Sequence, residues 1–159
     1  MKTINELQIK TKLDISTNLQ FLIFKNYLLS ISYEKNTIDF YDMKTFIKKF
    51  YIKPEGYKNI FDNEKWNLFY TKKHKLFLLQ YENEMIYEDI INDKPNKELN
   101  IYSLEIDNRK CIKKKSFIYY QFIQDKNDDK LYIITNKSII KYDFITGSST
   151  EKNITKKIY

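Results

Sequence analysis

The sequence predicts an all-β fold made of antiparallel, four-stranded repeats, about three in number. Three observations support this prediction. Apolar runs of four to eight residues, rich in Ile, Tyr, Phe and Thr, recur along the chain between short polar turns. Alanine, the strongest helix former, is absent. The runs also fall into three similar groups, at approximately 19–52, 67–116 and 117–158.

Length and composition limit what the other patterns can show. The 159 residues are enough for a single domain, 1–159, with a substantial core. Valine is absent as well as alanine, Gly and Pro occur twice each, and the abundant residues are those with AT-rich codons. We infer an AT-rich genome. Codon bias therefore accounts for much of the lysine that makes this a basic protein with a net charge of +7.

The first repeat contains four short apolar runs of strand length. Turns rich in Asn, Lys and Asp separate them, which predicts the order strand, turn, strand, turn, strand, hairpin, strand. The runs are "LQFLIF" (19–24), "YLLSIS" (27–32), "TIDFY" (37–41) and "FIKKFYI" (46–52).

The second and third repeats follow the same order less regularly. "NYLLSIS" (26–32), "HKLFLLQ" (74–80) and "DKLYIIT" (129–135) match one another in pattern, which aligns the three repeats. The long run 111–123 predicts two strands. The remaining predicted strands are 67–71, 75–80 and 100–106 in the second repeat, and 130–135 and 138–145 in the third.

The second repeat leaves two alignments open. Either "MIYED" is its third strand, or residues 81–98 are an insertion and "NIYSLEI" (100–106) is the third strand. We prefer the insertion, because "NIYSLEIDNRKCIKK" makes the better hairpin. The insertion is acidic, with six carboxylates and two lysines, and the i, i+4 spacing of Ile86 and Ile90 predicts a short helix within 82–93.

A hairpin motif recurs in the first and third repeats. "IDFYDMKTFIKKF" and "IIKYDFITGSSTEKNI" both place Tyr-Asp, then two residues, then Thr, before the next strand. Gly147 can supply the positive φ that such a turn requires, whereas Phe46 stands at this position in the first copy, so we expect the two turns to differ slightly. We expect the Tyr41-Asp42 pair to serve the hairpin and the core, with no chemistry of its own.

"LLSISYEKNTIDFYDMKTF" and "KLYIITNKSIIKYDFITGS" resemble blades of the WD-repeat β-propeller family. In that family the third strand of a four-stranded blade ends in Trp-Asp. Here the pair reads Tyr41-Asp42 and Tyr142-Asp143, and in the middle repeat Tyr102-Ser103 or Tyr87-Glu88. The family's Gly-His pair between blades is absent. The resemblance implies a partial or small WD-like propeller.

Three blades imply a partner. Closed propellers have four to eight blades, so three leave two sheet edges open to further pairing. Two copies could close a six-bladed ring, a protein partner could supply the missing blades, or the N-terminal "ELQIKTKLDI" could cap an edge. A small open or sandwich-like array is the remaining alternative. All but the last predict a protein partner or a homo-oligomer.

No catalytic, cofactor-binding or metal-binding constellation stands out, so we predict no enzyme activity, no cofactor and no small-molecule substrate. His74 lies in a polar turn without a visible catalytic partner, and one His with one Cys cannot build a zinc site. Cys111 lies on a predicted strand and reads as a buried thiol. With one cysteine, no leader-like N-terminus and no membrane-length apolar run, we expect an intracellular, reducing, cytoplasmic location and no membrane contact.

Two hypotheses for function remain. The first is a non-enzymatic interaction or scaffold subunit of a larger assembly. Its candidate partner-binding residues are the aromatics near the predicted loop between the first two repeats and the acidic residues of the insertion: Tyr57, Phe61, Trp66, Glu82, Glu84, Glu88 and Asp89. The alternative is an RNA-associated subunit of a ribonucleoprotein, with candidate phosphate contacts at Lys72, Lys73, Lys75, Lys113, Lys114 and Lys115.

Overall fold

The computed structural model describes residues 20–57, 64–82 and 97–154, and these ranges hold twelve strands and no helix. No helix in these ranges is long and apolar enough to cross a membrane. The strands, in chain order, are β1 Phe21–Phe24, β2 Tyr27–Ser32, β3 Thr37–Asp42, β4 Lys48–Ile52, β5 Glu64–Tyr70, β6 Leu76–Glu82, β7 Lys97–Glu105, β8 Lys110–Tyr119, β9 Gln121–Asp125, β10 Lys130–Ile134, β11 Ser138–Asp143 and β12 Ser149–Asn153.

The strands form three antiparallel sheets, each made of four consecutive strands. The first sheet has the order β1-β2-β3-β4, the second β5-β6-β7-β8, and the third β9-β10-β11-β12. This confirms the predicted all-β fold of three four-stranded, blade-like units. The run 111–123 does divide between two strands, β8 and β9.

The third strand of the second sheet is β7, so the preferred alignment of the middle repeat is confirmed. The ends of the predicted insertion, 81–82 and 97–98, belong to β6 and β7. Residues 83–96, which include all but the first residue of the predicted helix within 82–93, lie outside the described residues.

The chain divides into two compact units. The first comprises Met1–Tyr57 and Leu104–Cys111, and the second comprises Lys58–Ser103 and Ile112–Tyr159. The single domain 1–159 stays a prediction. The first unit thus contains the first sheet together with the tip of the β7–β8 hairpin, and the second unit contains the rest of the second sheet and the third sheet.

Aromatic packing and one backbone bridge hold the first unit together. The ring of Phe40 stacks on Phe50 at 4.5 Å between centroids, and the guanidinium of Arg109 lies 4.3 Å from the Phe50 centroid. After β4 the chain forms a parallel bridge from Pro54 to Cys111, and the Glu55 N–H donates to the Cys111 carbonyl at 2.8 Å. The hairpin tip is therefore attached to the first sheet by both side-chain and backbone contacts.

The second unit has one continuous apolar core, which the second and third sheets build together. Phe69 and Phe144 meet edge to face at 4.9 Å, and Asn67 Nδ2 donates to Gln124 Oε1 at 3.1 Å. Sheet-on-sheet packing of alternate side chains accounts for this arrangement. The buried members of the core are Phe69, Phe77, Leu79, Leu99, Ile101, Phe117, Tyr119, Leu131, Ile133, Tyr142 and Phe144.

A buried polar network crosses the second sheet on the face opposite this core. Its centre is Gln80 of β6, whose side chain is 2% exposed. Gln80 Nε2 donates to the Glu64 carboxylate of β5, while Gln80 Oε1 accepts from Asn100 Nδ2 at 3.0 Å and from the Tyr102 hydroxyl at 3.2 Å on β7. Ser116 of β8 extends the network to Asn100 at 2.8 Å. All four strands are thereby tied together by side chains.

The Tyr-Asp motif builds the same turn in the first and third sheets. Phe46 and Gly147 occupy matching positions with φ of 58° and 72°, and each N–H donates to the carbonyl of the strand-ending aspartate at 2.8 Å. The expected difference between the turns is wrong: Phe46 accepts the left-handed conformation despite a cost of about 1–2 kcal/mol. The aspartate Oδ1 accepts backbone N–H groups in both turns, from Lys44 and Thr45 to Asp42, and from Ile145 and Thr146 to Asp143.

The pair preceding the turn therefore has a structural role, as predicted for Tyr41-Asp42. The Tyr41 and Tyr142 rings are buried, and the carboxylates cap the turns. In the middle sheet β7 ends at Leu104-Glu105, so the equivalent pair is not Tyr102-Ser103. The alignment by aromatic residues placed the end of the strand at Tyr102-Ser103, but β7 continues for two more residues. The Tyr102 hydroxyl belongs to the polar network around Gln80 instead.

Backbone hydrogen bonds lower the pKa of both turn aspartates. At Asp42 the bonds from Thr45 and Lys44 are the main cause. At Asp143 desolvation raises the pKa, but the bonds from Ile145 and Thr146 together with the charges of Lys130 and Lys141 lower it by more. A carboxyl whose pKa is lower in the folded state stabilises that state above its unfolded pKa of about 4, and the contribution is lost as the pH falls through the folded pKa.

We therefore expect the double variant Asp42→Asn/Asp143→Asn to be less stable than the parent at about pH 7, with the difference shrinking towards about pH 3. Urea unfolding followed by Trp66 fluorescence across this range measures it. Asp107→Asn, which changes an exposed aspartate of the β7–β8 turn, is the matched control. A difference in stability that stays constant with pH would contradict the assignment.

Candidate interaction surface

The described residues include only some of the predicted partner contacts. Tyr57 is half-buried just after the Pro54 bridge, and its N–H donates to the Pro54 carbonyl at 3.3 Å. Trp66 lies in β5 and is 3% exposed, so the prediction of a partner contact there is corrected: the indole is enclosed in the protein. Glu82 ends β6 at the sheet surface. Phe61, Glu84, Glu88 and Asp89 lie outside the described residues.

The six predicted phosphate contacts are all exposed, but they form two separate groups. Lys72, Lys73 and Lys75 lie in the β5–β6 turn, and 113–115 lie on β8, an edge strand of the same sheet. At least two strand spacings, about 10 Å, separate β6 from β8. Successive residues of β8 point to opposite faces, so Lys114 points away from its two lysine neighbours. The structure therefore does not assemble these lysines into one cluster.

The residues with reactive or ionisable side chains that the sequence analysis considered are not arranged as a catalytic or metal site in the described ranges. The Cys111 thiol is buried, and desolvation together with the Glu55 carboxylate raises its pKa, which disfavours the reactive thiolate. His74 is an exposed turn residue with φ of 59°. Asp128 pairs with Lys130 at 3.1 Å. No group of three or more His, Cys, Asp or Glu side chains in the described ranges is arranged to hold a metal ion.

A cavity of about 360 Å³ opens in the second unit between the ends of β6, β7 and β9. Its floor is aromatic: Tyr81 and Tyr119 each meet Phe122 edge to face, at 4.9 and 5.4 Å, and the Tyr119 hydroxyl donates to the Glu82 carbonyl at 3.0 Å. The three rings therefore pack against one another, and the Tyr119 hydroxyl has a hydrogen-bond acceptor within the protein. These three aromatic side chains, which line the cavity, are already engaged by one another.

The third sheet differs from the second in that the residues described by the structure cover only one of its faces. On β6 the neighbours Leu78 and Leu79 are both fully buried, which requires cover on both faces of the second sheet. On β10 burial alternates instead: Leu131 and Ile133 are fully buried, whereas the residues between and after them are half-exposed. One face of the third sheet packs in the core, and the other is open.

Strand register identifies the side chains on this open face. Cross-strand partners lie on the same side of a sheet. Tyr132 of β10 pairs with Ile123 of β9 and with Lys141 of β11, and Ile134 pairs with Ile139, which in turn pairs with Lys152 of β12. We call this side the uncovered face and define its centre and one border by Ile123, Tyr132, Ile134, Ile139, Lys141 and Lys152. The same register places Asp125, Lys130 and Asp143 at the other end of the face.

The uncovered face has an apolar centre that water reaches. Ile123 is 56% exposed and Ile139 is 43% exposed, and both lie on strands whose neighbouring residues enter the core. Just past β12, Ile154 is 44% exposed, and its N–H donates to the Lys137 carbonyl at 2.7 Å. Contiguous exposed apolar side chains on a sheet face are typical of surfaces that bind another molecule.

The sequence did not single out this surface. "KLYIIT" and "SIIKYDFI" carry apolar residues on both faces of the strands, which predicts a strand covered on both sides as well as one covered on a single side. Only the packing of the second sheet against one face shows which isoleucines stay exposed. A signal was present in Lys141, which interrupts the apolar pattern of "SIIKYDFI" on the open side.

The fold and the uncovered face stand without support from known relatives. No protein-family model matches the chain, and no curated protein matches it.

Proposed function

We propose that this chain is a non-enzymatic protein-interaction subunit of a larger intracellular assembly, in which a protein partner or a second copy covers the third sheet. The observation that carries the proposal is the one-sided burial of that sheet, with Ile123 exposed on its edge strand β9 and Ile139 exposed on its inner strand β11. Burial of apolar surface contributes a free energy of about 25 cal/mol for each Å² removed from water. A partner that covered these two side chains would gain this free energy.

The architecture supports the same proposal. Three four-stranded sheets of consecutive strands, with one turn motif repeated in the first and third, correspond to blades of a partial or small WD-like propeller. In such a fold a terminal blade has a neighbour on one side only, which accounts for a sheet covered on one face. The buried, protonated Cys111 thiol suits a reducing compartment.

The test compares variants of the uncovered face with a matched variant elsewhere. Ile123→Lys/Ile139→Lys places charge on the uncovered face, and Ile118→Lys makes the same change at a 60% exposed isoleucine of β8. Each chain is cross-linked in its source cells and purified, and the purified protein is also followed by sedimentation velocity over a range of concentrations. We expect complexes with the parent and the Ile118 variant, and their loss with the double variant.

A monomer at every concentration, with cross-linked species that are identical for all three proteins, would overturn the proposal. Because all three positions are exposed, the substitutions should change stability by less than about 0.5 kcal/mol. A thermal midpoint measured for each variant checks that the fold is retained.

The alternative function is association with RNA through the exposed lysines of the second sheet. It rests on the exposure of all six predicted phosphate contacts. Contacts from six lysines to single-stranded RNA would give a slope of about −4 in a plot of log affinity against log salt. Binding of a U-rich oligonucleotide that is absent, or independent of salt, would exclude this alternative.

A further inference from the structure

We propose that the partner of the uncovered face is an acidic protein surface with an apolar centre. This proposal rests on the proposed function and specifies the chemistry of the partner. It is carried by the position of the lysines relative to the exposed isoleucines.

The lysines lie on one side of the apolar centre. Lys141 stands opposite Tyr132 on the neighbouring strand, and Lys152 stands opposite Ile139. On adjacent strands these two lysines are diagonal neighbours, with Cα atoms about 7–8 Å apart. Lys137, which is also exposed, follows at the end of the face next to Ile154. The apolar centre is therefore bordered by a row of cations along β11 and β12.

None of these cations forms a close ion pair in the part of the chain that the structure describes, although the charge of Lys141 contributes to the lowered pKa of Asp143 at the end of β11. No ion pair within 4.0 Å there includes Lys137, Lys141 or Lys152. Lys130, at the far end of the face, shows the contrast, since its ammonium pairs with Asp128 at 3.1 Å and Asp143 at 4.0 Å. A covering partner that brought no anions would place the unpaired ammonium groups against protein without compensation.

Charge therefore argues against a symmetric contact with a second copy. In a face-to-face dimer about a two-fold axis, two faces that each carry more lysines than aspartates would meet. Like charges brought together in this way are destabilising, whereas carboxylates at the rim of a different protein would pair with them.

The apolar centre also favours protein over RNA. Unpaired bases stack on aromatic rings, and Tyr132 is the one aromatic side chain of the uncovered face as defined above, half-buried between its cross-strand neighbours. The exposed side chains are isoleucines, which pack against leucine, isoleucine or phenylalanine of a partner. Apolar packing within a cationic rim is the complement of an acidic amphipathic segment or sheet face.

A displayed library of random peptides about 16 residues long, used as the probe, tests the proposal. Peptides are selected on the parent protein, and each enriched peptide is then tested for binding to Ile123→Lys/Ile139→Lys. We expect the enriched peptides to combine Leu, Ile or Phe with flanking Asp or Glu. Their affinity should fall tenfold or more with Lys141→Glu/Lys152→Glu and fall with added salt. The same charge reversal at two exposed lysines of β8, Lys113→Glu/Lys114→Glu, should leave affinity within about twofold.

The outcomes separate this inference from the function on which it rests. Enriched peptides that need Ile123 and Ile139 but are neutral or basic would overturn the acidic partner and leave the interaction function standing. If every enriched peptide also binds Ile123→Lys/Ile139→Lys, the face is not a docking site, and both proposals fall. If a U-rich oligonucleotide binds the parent and loses affinity with Lys141→Glu/Lys152→Glu, the partner is RNA instead.

Discussion

Leu79→Ala is expected to destabilise the second unit by about 2–5 kcal/mol. Leu79 is fully buried on β6 within the core shared by the second and third sheets. Removal of its side chain forfeits the free energy of burial and leaves a cavity that the two rigid sheets cannot close, because every strand is held by its neighbours through backbone hydrogen bonds. A loss of this size is a large fraction of the 5–15 kcal/mol that stabilises a typical domain.

Urea unfolding, followed by Trp66 fluorescence and far-UV circular dichroism, measures the loss. Ile118→Ala truncates a 60% exposed side chain on the outer strand of the same sheet and serves as the control, with an expected change of less than about 0.5 kcal/mol. A similar midpoint for the two variants would mean that Leu79 does not lie in a packed core.

Gln80→Ala is expected to cost about 2–4 kcal/mol, although it removes a polar side chain. The change deprives Asn100 and Tyr102 of their common acceptor and Glu64 of a donor inside the sheet. Buried polar groups that lose their hydrogen bonds keep the full cost of desolvation. The replacement should therefore be as damaging as loss of many apolar core side chains.

A double-mutant cycle with Asn100→Ala identifies the cause. If the network acts as a unit, the double variant is less destabilised than the sum of the single variants, because the second change removes a group that has already lost its partner. Gln121→Ala, at an exposed position of β9, is the control for glutamine removal. Strict additivity would contradict a cooperative network.

Strand positions could be predicted from the sequence because they depend on local signals. Short apolar runs between Asn, Asp and Lys turns located the strands, and the repeated Tyr-Asp-x-x-Thr spacing located two hairpins. In the middle repeat the shared pattern of "HKLFLLQ" was sufficient to place β6. The preference for "NIYSLEIDNRKCIKK" as the hairpin correctly identified β7 as the third strand.

The parts that the sequence did not reveal depend on which surfaces meet. Gln80 reads as the polar end of an apolar run, yet it is 2% exposed because partners on β5 and β7 lie opposite it. Trp66 reads as a surface anchor beside a loop, yet β5 begins before it and carries it inward. The exposure of Ile139 arises because no layer among the described residues 20–57, 64–82 and 97–154 covers that side of the third sheet, and strand periodicity is the same with or without such a layer.

The attachment of the β7–β8 hairpin tip to the first sheet has a consequence for biosynthesis. All four strands of the first sheet precede residue 57, but Arg109 and Cys111, which contact Phe50 and Pro54, follow about 50 residues later. At translation rates of about 5–20 residues per second, the nascent chain would wait roughly 3–10 s for them. During that interval the four strands of the first sheet are complete, but the contacts that Arg109 and Cys111 make with it are still missing.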